Sequence, residues 1–205
     1  MKENKQTRKE REFLMHRQEI VDAALELFSE KGFHNVTMHE IARASEFSVG
    51  TLYKFFNNKE DLYRALILEK SDEFHFSMME AIESGRDEID SIKAYLEERI
   101  RLFNENLKSI RLYMAQSRGA SFNVLAGLDE ELKVKYEEII ARLADVLKRG
   151  IRNRLFKKFD PYLLAASLDG MIHAILFQHL DHADEHPFDA DMLMRIFFES
   201  VMEDS

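Results

Sequence analysis

Histidines and acidic residues cluster near the C-terminus in a pattern that could bind a metal ion. His179 and His182 are three residues apart, so on one helix both imidazoles could reach the same ion, with His186, Asp181 and Asp184 nearby. The segment precedes a proline and a loop, however, and the negative end of a helix dipole also favours histidine. We interpret the cluster as a solvated helix end and predict no metal site.

Other residue patterns that support catalysis are missing from the sequence. It contains no cysteine, which excludes disulfides, thiolate metal ligands and a cysteine nucleophile. The patterns H-E-x-x-H, G-x-S-x-G and the P-loop do not occur either. We therefore predict that the protein is not an enzyme and has no cofactor, and we keep an all-α enzyme as an alternative.

The charge of the chain is distributed unevenly. The net charge is −9, but the first 70 residues hold 12 basic and 12 acidic side chains. The excess of acidic residues therefore lies in residues 71–205. The front of the chain could therefore face a polyanion. Residues 1–11 are predicted to form a flexible charged arm, which is either a solvated tail or a segment that touches DNA phosphates.

The elements that position these residues are predicted to be helices. Only 2 prolines and 7 glycines occur in 205 residues, and apolar side chains recur at helical spacing, so we expect an all-α fold of about nine helices. The predicted ranges are about 10–30, 37–44, 48–56, 58–84, 87 to at least 103, 107–118, 129–155, 161–183 and 189–202. No segment is apolar enough for a membrane span and no signal peptide is evident, which predicts a cytoplasmic protein.

Two short helices joined by a tight turn follow the first long helix. Thr37 and Glu40 form a capping box at the start of one, and Ser48 is the N-cap of the other. This arrangement is typical of a helix-turn-helix, whose second helix enters the DNA major groove.

The run from Gly32 to Ile67 resembles the DNA-binding domain of the TetR (tetracycline repressor) family. The matching positions are Gly32, Phe33, Thr37, Ile41, Ala42, Ser48, Gly50, Leu52, Tyr53, Phe56, Lys59 and Leu62. The sequence departs from the family pattern at Glu46, where glycine is typical and positive φ is often needed, at Val49 and at Phe55. We expect these departures to alter the operator and not the fold.

The resemblance implies a set of DNA-binding residues. Tyr53 and Lys59 are expected to contact phosphates, Gly50 to let the backbone approach DNA, and Val49 and Thr51 to influence which bases are preferred. Lys54 and Lys59 could instead be solvated, and Gly50 could be a helix-packing glycine. The full predicted set is Thr37, Ser48, Val49, Gly50, Thr51, Tyr53, Lys54 and Lys59.

The resemblance also divides the chain into a DNA-binding domain at 12–60 and an effector-binding and dimerisation domain at 61–205. A small, mainly apolar effector is expected to contact Phe74, His75, Met78, Tyr95, Arg99, Phe103, Tyr113, Met114 and Ser117. A homodimer interface is expected at Gly170, Ile172, Ile175, Leu176 and Phe197. A plain hydrophobic core is the alternative for both sets.

Together these features predict a ligand-responsive transcriptional repressor that binds a palindromic operator as a homodimer and is released by its effector. A DNA-binding activator and a sequence-neutral DNA coater are the alternatives within DNA binding. The effector, the operator and the regulated genes are not determined by the sequence.

Overall fold

A computed structural model of the chain describes residues 7–116, 130–182 and 190–203. These residues form nine α-helices and no β-strand, apart from one isolated bridge between Phe156 and Met202. The helices are α1 (Arg8–Lys31), α2 (Met38–Ala44), α3 (Val49–Phe55), α4 (Lys59–Ser84), α5 (Glu88–Glu105), α6 (Leu107–Gln116), α7 (Glu130–Arg152), α8 (Pro161–His182) and α9 (Ala190–Val201). The predicted all-α fold is confirmed.

The front unit consists of the described residues up to Lys70 together with α6. Its core is formed where the apolar faces of α1, α2, α3 and α4 meet, with Leu112 of α6 buried among them. Ile20, Ile41 and Leu52 have no exposed surface at all. A Lys108–Glu26 ion pair, with 2.6 Å between Nζ and Oε2, also joins α6 to α1.

Local chemistry fixes the two short helices of this unit. The Thr37 hydroxyl accepts from the Glu40 amide and the Glu40 carboxylate accepts from the Thr37 amide, which completes the predicted capping box. The turn to α3 passes through Glu46 at a φ of 60°, so the expected positive φ is present without glycine. Ser48 then caps α3 by accepting from the Thr51 amide at 3.1 Å.

The rear unit contains the rest of the described chain, from Ser71 through α5 and then α7, α8 and α9. Helix α7 packs along α8 and also contacts α5, and its buried side includes Ile140, Leu143 and Leu147. Gly150 lies so close to the Phe156 ring that a Cβ would stand 2.3 Å from it, so only glycine fits there. This contact packs the chain after α7 against that helix.

The structure differs from the expected boundaries at both ends of the front unit. Helix α1 begins at Arg8, because Thr7 and Glu10 form a capping box, so part of the expected flexible arm is helical. The front unit extends to Lys70 and includes α6, although everything after residue 60 was expected to belong to the rear domain. Among the described residues, no helix is sufficiently long and apolar to span a membrane.

Candidate nucleic-acid interface

Helix α3 has one buried face and one exposed face. Leu52 is fully buried and anchors the helix in the front core, and Phe56 is buried immediately after its end. Gly50, Tyr53 and Lys54 are exposed. Because Tyr53 and Lys54 lie three and four residues after Gly50, these exposed positions share one face of the seven-residue helix.

Tyr53 and Lys54 are free to interact with a partner outside the unit. Tyr53 is 52% exposed, a large fraction for an aromatic side chain. Neither side chain makes a hydrogen bond or ion pair with another residue in the described part of the chain. Their hydroxyl and ammonium groups are donors of the kind that bind phosphate oxygens.

Gly50 faces open space. A Cβ built on it would meet only the Ser48 hydroxyl, at 3.9 Å. The alternative of a helix-packing glycine is therefore wrong for the described part of the chain, because no other element there approaches this position. An uncovered backbone on an exposed helix face is suited to close contact with another molecule.

Val49 and Thr51 are half-buried beside this surface. Val49 packs against the front core, so only part of its side chain is available to a base. The hydroxyls of Thr51 and Ser48 lie 2.8 Å apart and share a hydrogen bond. Both positions border the exposed face, and their predicted role in base preference stays a prediction.

Thr37 is exposed, but its hydroxyl already serves the cap. It donates to Glu40 Oε2 at 3.0 Å, and the Lys31 ammonium lies 2.9 Å from the other carboxylate oxygen. The hydrogen bond from Lys31, followed by those from the Thr37 amide and hydroxyl, lowers the pKa of Glu40 to about 2. A phosphate contact at Thr37 would have to use a hydroxyl that is already donating.

Lys59 has a different role from the predicted phosphate contact. Its ammonium donates to the carbonyl oxygens of Phe33 at 2.7 Å and Val36 at 2.8 Å. It also lies 4.5 Å from the centroid of the Phe33 ring. These acceptors explain how a cation is stable in the first turn of a helix, where the dipole disfavours it. Lys59 therefore ties α4 to the turn before α2, and its side chain points into the unit.

The residues predicted to line an effector pocket are dispersed. Met78, Tyr95 and Phe103 are at most 2% exposed and belong to the rear core. Tyr113 and Met114 lie on α6, which belongs to the front unit. Ser117 lies outside the described residues, as do the side chains of His179 and His182 and all of His186.

Tyr95 and Arg99 contact a buried acid that the sequence analysis missed. Asp169 on α8 is 2% exposed and accepts from the Tyr95 hydroxyl at 2.6 Å, from Arg99 Nε at 3.2 Å and from the Tyr136 hydroxyl at 3.0 Å. We call these four residues the Asp169 cluster. The Arg99 guanidinium also lies over the Phe74 ring, 4.9 Å from its centroid.

Charge compensation inside the Asp169 cluster decides its protonation. Burial alone would raise the pKa of Asp169, but the Arg99 charge and the hydrogen bonds from Tyr95, Tyr136 and Arg99 outweigh it, so the pKa is lowered. Burial and the neighbouring carboxylate raise the pKa of both tyrosines. The cluster thus holds one anion and one cation, and both carboxylate oxygens of Asp169 accept hydrogen bonds within it.

His75 contacts α7 of the same unit. Its Nε2 lies 2.8 Å from Glu138 Oε2 but makes no hydrogen bond with it, so an acidic side chain lies beside this predicted pocket position. The described residues contain no group of three or more His, Asp or Glu side chains placed to hold a metal ion.

Three of the predicted dimer-interface residues belong to the core of the chain itself. Ile172, Leu176 and Phe197 are at most 2% exposed, so they have no apolar surface left for a partner. Ile175 is half-buried, whereas Gly170 is exposed and has nothing within 4 Å of a Cβ. The error arose because α8 is apolar on more than one side, and the sequence did not indicate which side faces the core.

The comparisons with known proteins agree with this geometry. The sequence pattern of a family described as bacterial regulatory proteins, tetR family, matches residues 20–66. The uncharacterised HTH-type transcriptional regulator YfiR of Bacillus subtilis is 28% identical over 175 residues, which cover 81% of this chain and 82% of that protein. IcaR of Staphylococcus epidermidis, a negative transcriptional regulator of the biofilm operon icaADBC, is 27% identical over 77% of this chain and 76% of its own length.

A solved structure shows the same fold over nearly the whole chain. SmeT, the repressor of the Stenotrophomonas maltophilia multidrug efflux pump SmeDEF, aligns with a TM-score of 0.72 over 92% of this chain and 91% of its own, at 17% identity. The matched residues 20–66 contain α2, the turn and α3. The family pattern thus identifies residues 20–66 as a helix-turn-helix DNA-binding domain of the tetR type, and the relatives that align with most of the chain are transcriptional regulators and not enzymes.

Proposed function

We propose that the protein is a repressor that binds a palindromic operator as a homodimer and leaves it when a small, mainly apolar effector binds. The observation that carries the proposal is the exposed face of α3, where Gly50, Tyr53 and Lys54 are uncovered while Leu52 holds the helix in the core. Two relatives support repression as the direction of control: IcaR is a negative regulator and SmeT is a repressor.

The exposed face divides into two kinds of DNA contact. Ser48, Gly50, Tyr53 and Lys54 are assigned to the phosphate backbone, because hydroxyls, an open backbone and an ammonium serve that purpose. Val49 and Thr51 are assigned to base preference, with the valine suited to a thymine methyl group. Lys59 is removed from the DNA-contacting set because its donors already bind carbonyl oxygens.

The structure suggests a revised surface for the second copy of the chain. Leu163, Ser167, Gly170 and Ala174 are all exposed on α8, at spacings of three or four residues, and so lie along one side of the helix. Leu163 is 66% exposed, and the small residues behind it would let another helix approach closely. Met192 and Ile196 of α9 are exposed in a similar row, at 46% and 47%.

The effector is assigned to the rear domain on the strength of family resemblance and composition. Met78 and Phe103 are packed in the rear core, so an apolar ligand would have to displace neighbouring side chains to reach them, and methionine and aromatic side chains suit such a ligand. The Tyr95 hydroxyl and Arg99 Nε donate to Asp169, so a ligand would reach these two donors only by competing with that carboxylate. Release would follow by linkage, because a ligand that prefers the DNA-free conformation must weaken DNA binding.

The DNA-binding part of the proposal is tested by selecting preferred duplexes from a random pool and then footprinting the protein on the most enriched duplex. We expect an inverted repeat and a bounded footprint, whereas a DNA coater would enrich no sequence. Tyr53→Phe should weaken binding to all duplexes alike, by about 1 kcal/mol for a lost phosphate hydrogen bond. An unchanged affinity would remove Tyr53 from the interface.

The dimer is tested by analytical ultracentrifugation. The wild type should sediment at about twice the chain mass of 24.2 kDa. Leu163→Glu should shift it toward the monomer, because a carboxylate would have to be desolvated in the interface. Phe76→Glu is the matched control, since Phe76 is 68% exposed but lies on α4 and is not part of the proposed surface. A wild-type monomer at micromolar concentration would contradict this part of the proposal.

A further inference from the structure

Helix α1 contacts both ends of α3 through two pairs of aromatic rings. The His16 ring lies 5.1 Å from the ring of Phe47, which ends the turn before α3. One helical turn earlier, the Phe13 ring lies 4.5 Å from Phe55, the last residue of α3. Side chains of α1 therefore contact the chain just before α3 and at its last residue.

Arg17, which follows His16 in α1, contacts both the residue after α3 and a residue of α4. Its guanidinium carbon lies 5.2 Å from the centroid of the ring of Phe56, the buried C-cap residue that follows α3. The same guanidinium makes an ion pair with Glu69 on α4. One arginine thus contacts the end of the reading helix and the helix that continues to Ser84.

The charge of the Glu69 carboxylate is compensated by Arg17. The Glu69 side chain is 25% exposed, and its Oε2 atom is buried without a hydrogen-bond partner among the residues that the structure describes. A partly buried carboxylate with an unsatisfied oxygen is costly unless a cation compensates it. The contact is therefore a specific polar attachment inside an otherwise apolar junction.

We infer that Arg17 is a positioning residue for DNA recognition: by binding Glu69 and covering Phe56, it sets the orientation of α3 relative to α1 and α4. The inference rests on the proposed function, because it takes α3 as the reading helix. Arg17 itself is only 29% exposed and its guanidinium is engaged within the unit, so it acts through α3 and not on the DNA. Its loss should affect operator binding much more than binding to random DNA.

Two variants that change charge in opposite directions separate positioning from simple electrostatics. Arg17→Met removes a positive charge, whereas Glu69→Gln removes a negative charge. If only the charge of the unit mattered, the first would weaken DNA binding and the second would strengthen it. The positioning account predicts that both lower the ratio of operator affinity to random-duplex affinity, by about five- to tenfold.

A third variant serves as the control for a loss of stability. Arg17→Met alone leaves a buried carboxylate uncompensated and is expected to lower the melting temperature, so Arg17→Met/Glu69→Met replaces the whole pair by apolar side chains. This double variant should melt close to the wild type and yet keep the reduced affinity ratio. Arg17→Lys should retain most of the ratio, and Arg111→Met, at an exposed cation on α6 of the same unit, should leave it unchanged.

All variants are measured on the full chain with the duplex selected by the wild type and a random duplex of equal length. A wild-type ratio in the stable double variant, or opposite shifts in the two single variants, would overturn the inference while leaving the proposed function intact. A wild type that prefers no duplex would instead overturn the proposed function, and this inference with it.

Discussion

In the front unit the functional polar side chains lie at helix ends and on the surface, whereas in the rear unit the buried Asp169 binds three side chains from other helices. Of these, Tyr95 is fully buried, and Arg99 and Tyr136 are partly buried. Ser48 and Thr37 satisfy backbone amides within three residues of themselves. Asp169 instead binds Tyr136 and Tyr95, which are 33 and 74 residues away. Short-range chemistry shapes the DNA-binding surface, and long-range chemistry holds the rear helices together.

The difference implies different responses to mutation. A surface residue of the front unit can change DNA binding with little change in folding, since water replaces the lost contact. A member of the Asp169 cluster cannot be removed in this way, because its partner would be left buried and unpaired. The predictions below compare the two units, from the largest expected effect to the smallest.

Asp169→Asn should have the largest effect on folding. It leaves the Arg99 guanidinium buried without its carboxylate, and we expect a loss of about 3–5 kcal/mol in the free energy of unfolding. Urea denaturation followed by circular dichroism measures it. Asp145→Asn is the control, because Asp145 is exposed on α7, and it should change stability by no more than about 0.5 kcal/mol.

The Asp169→Asn variant should also change how folding stability depends on pH. The pKa of Asp169 is lower in the folded chain than in the unfolded one, so its stabilising contribution is present above the unfolded pKa, about 3.9, and is lost as the pH falls through the folded value. Wild-type stability should therefore fall more steeply below about pH 4 than that of Asp169→Asn. Parallel pH profiles would contradict the assigned charge state.

Substitutions of Lys59 and Lys54 should have different effects, the first on folding and the second on DNA binding. Lys59→Met loses two charge-assisted hydrogen bonds to backbone carbonyls and should cost about 1.5–3 kcal/mol of stability. Lys54→Met should leave stability within about 0.5 kcal/mol but reduce the salt dependence of DNA affinity by about one phosphate contact. If Lys59→Met instead keeps full stability and lowers the salt slope, the original phosphate assignment for Lys59 is restored.

Tyr136 and Tyr63 form a matched pair across the two units. The Tyr136 hydroxyl donates to Asp169, whereas the Tyr63 hydroxyl is buried without a hydrogen-bond partner among the described residues. Tyr136→Phe should cost about 1 kcal/mol, and Tyr63→Phe should be neutral or stabilising at neutral pH. Equal losses in urea denaturation would show that Tyr63 also donates to a partner.

Alkaline titration gives a second measurement on Tyr63. Burial raises its pKa to about 12, so the folded chain holds this proton more tightly than the unfolded chain. Its contribution is fully present below the unfolded pKa, about 10, and is lost between there and about pH 12. Tyr63→Phe should therefore reduce the fall in stability across this window.

Glu46→Gly should have the smallest effect and the opposite sign. Glu46 has a φ of 60°, which glycine adopts without strain, so we expect a gain of up to about 1 kcal/mol in thermal unfolding. Arg154→Gly in the rear unit, at a φ of 59°, should give a similar gain. A loss in the first variant alone would indicate that the Glu46 side chain makes a stabilising contact.

These two units also explain what the sequence could predict. The capping box at Thr37, the N-cap at Ser48 and the positive φ at Glu46 were predictable, because each depends on neighbours within a few residues. The role of Lys59 was not, since its carbonyl acceptors are 23 and 26 residues away and lie in a turn.

The rear unit was predicted less well for the same reason. Asp169 stands as a single acid within the apolar run of α8, which was a usable signal, but its three partners come from two other helices. Ile172 and Leu176 were assigned to a partner subunit because their hydrophobicity was evident while the direction they face was not. Periodicity identifies an apolar helix, and only the packed fold decides which side of it is covered.

The most direct test of the account is the affinity of the full-length protein for its selected operator and for a random duplex, measured across a salt series. Although each chain carries a net charge of −9, the exposed face of α3 should bind the operator at least about 10³-fold more tightly than random DNA near physiological salt. Both affinities should fall as salt rises, with the operator preferred throughout. Equal affinities for the two duplexes at every salt concentration would contradict sequence-specific recognition by this face.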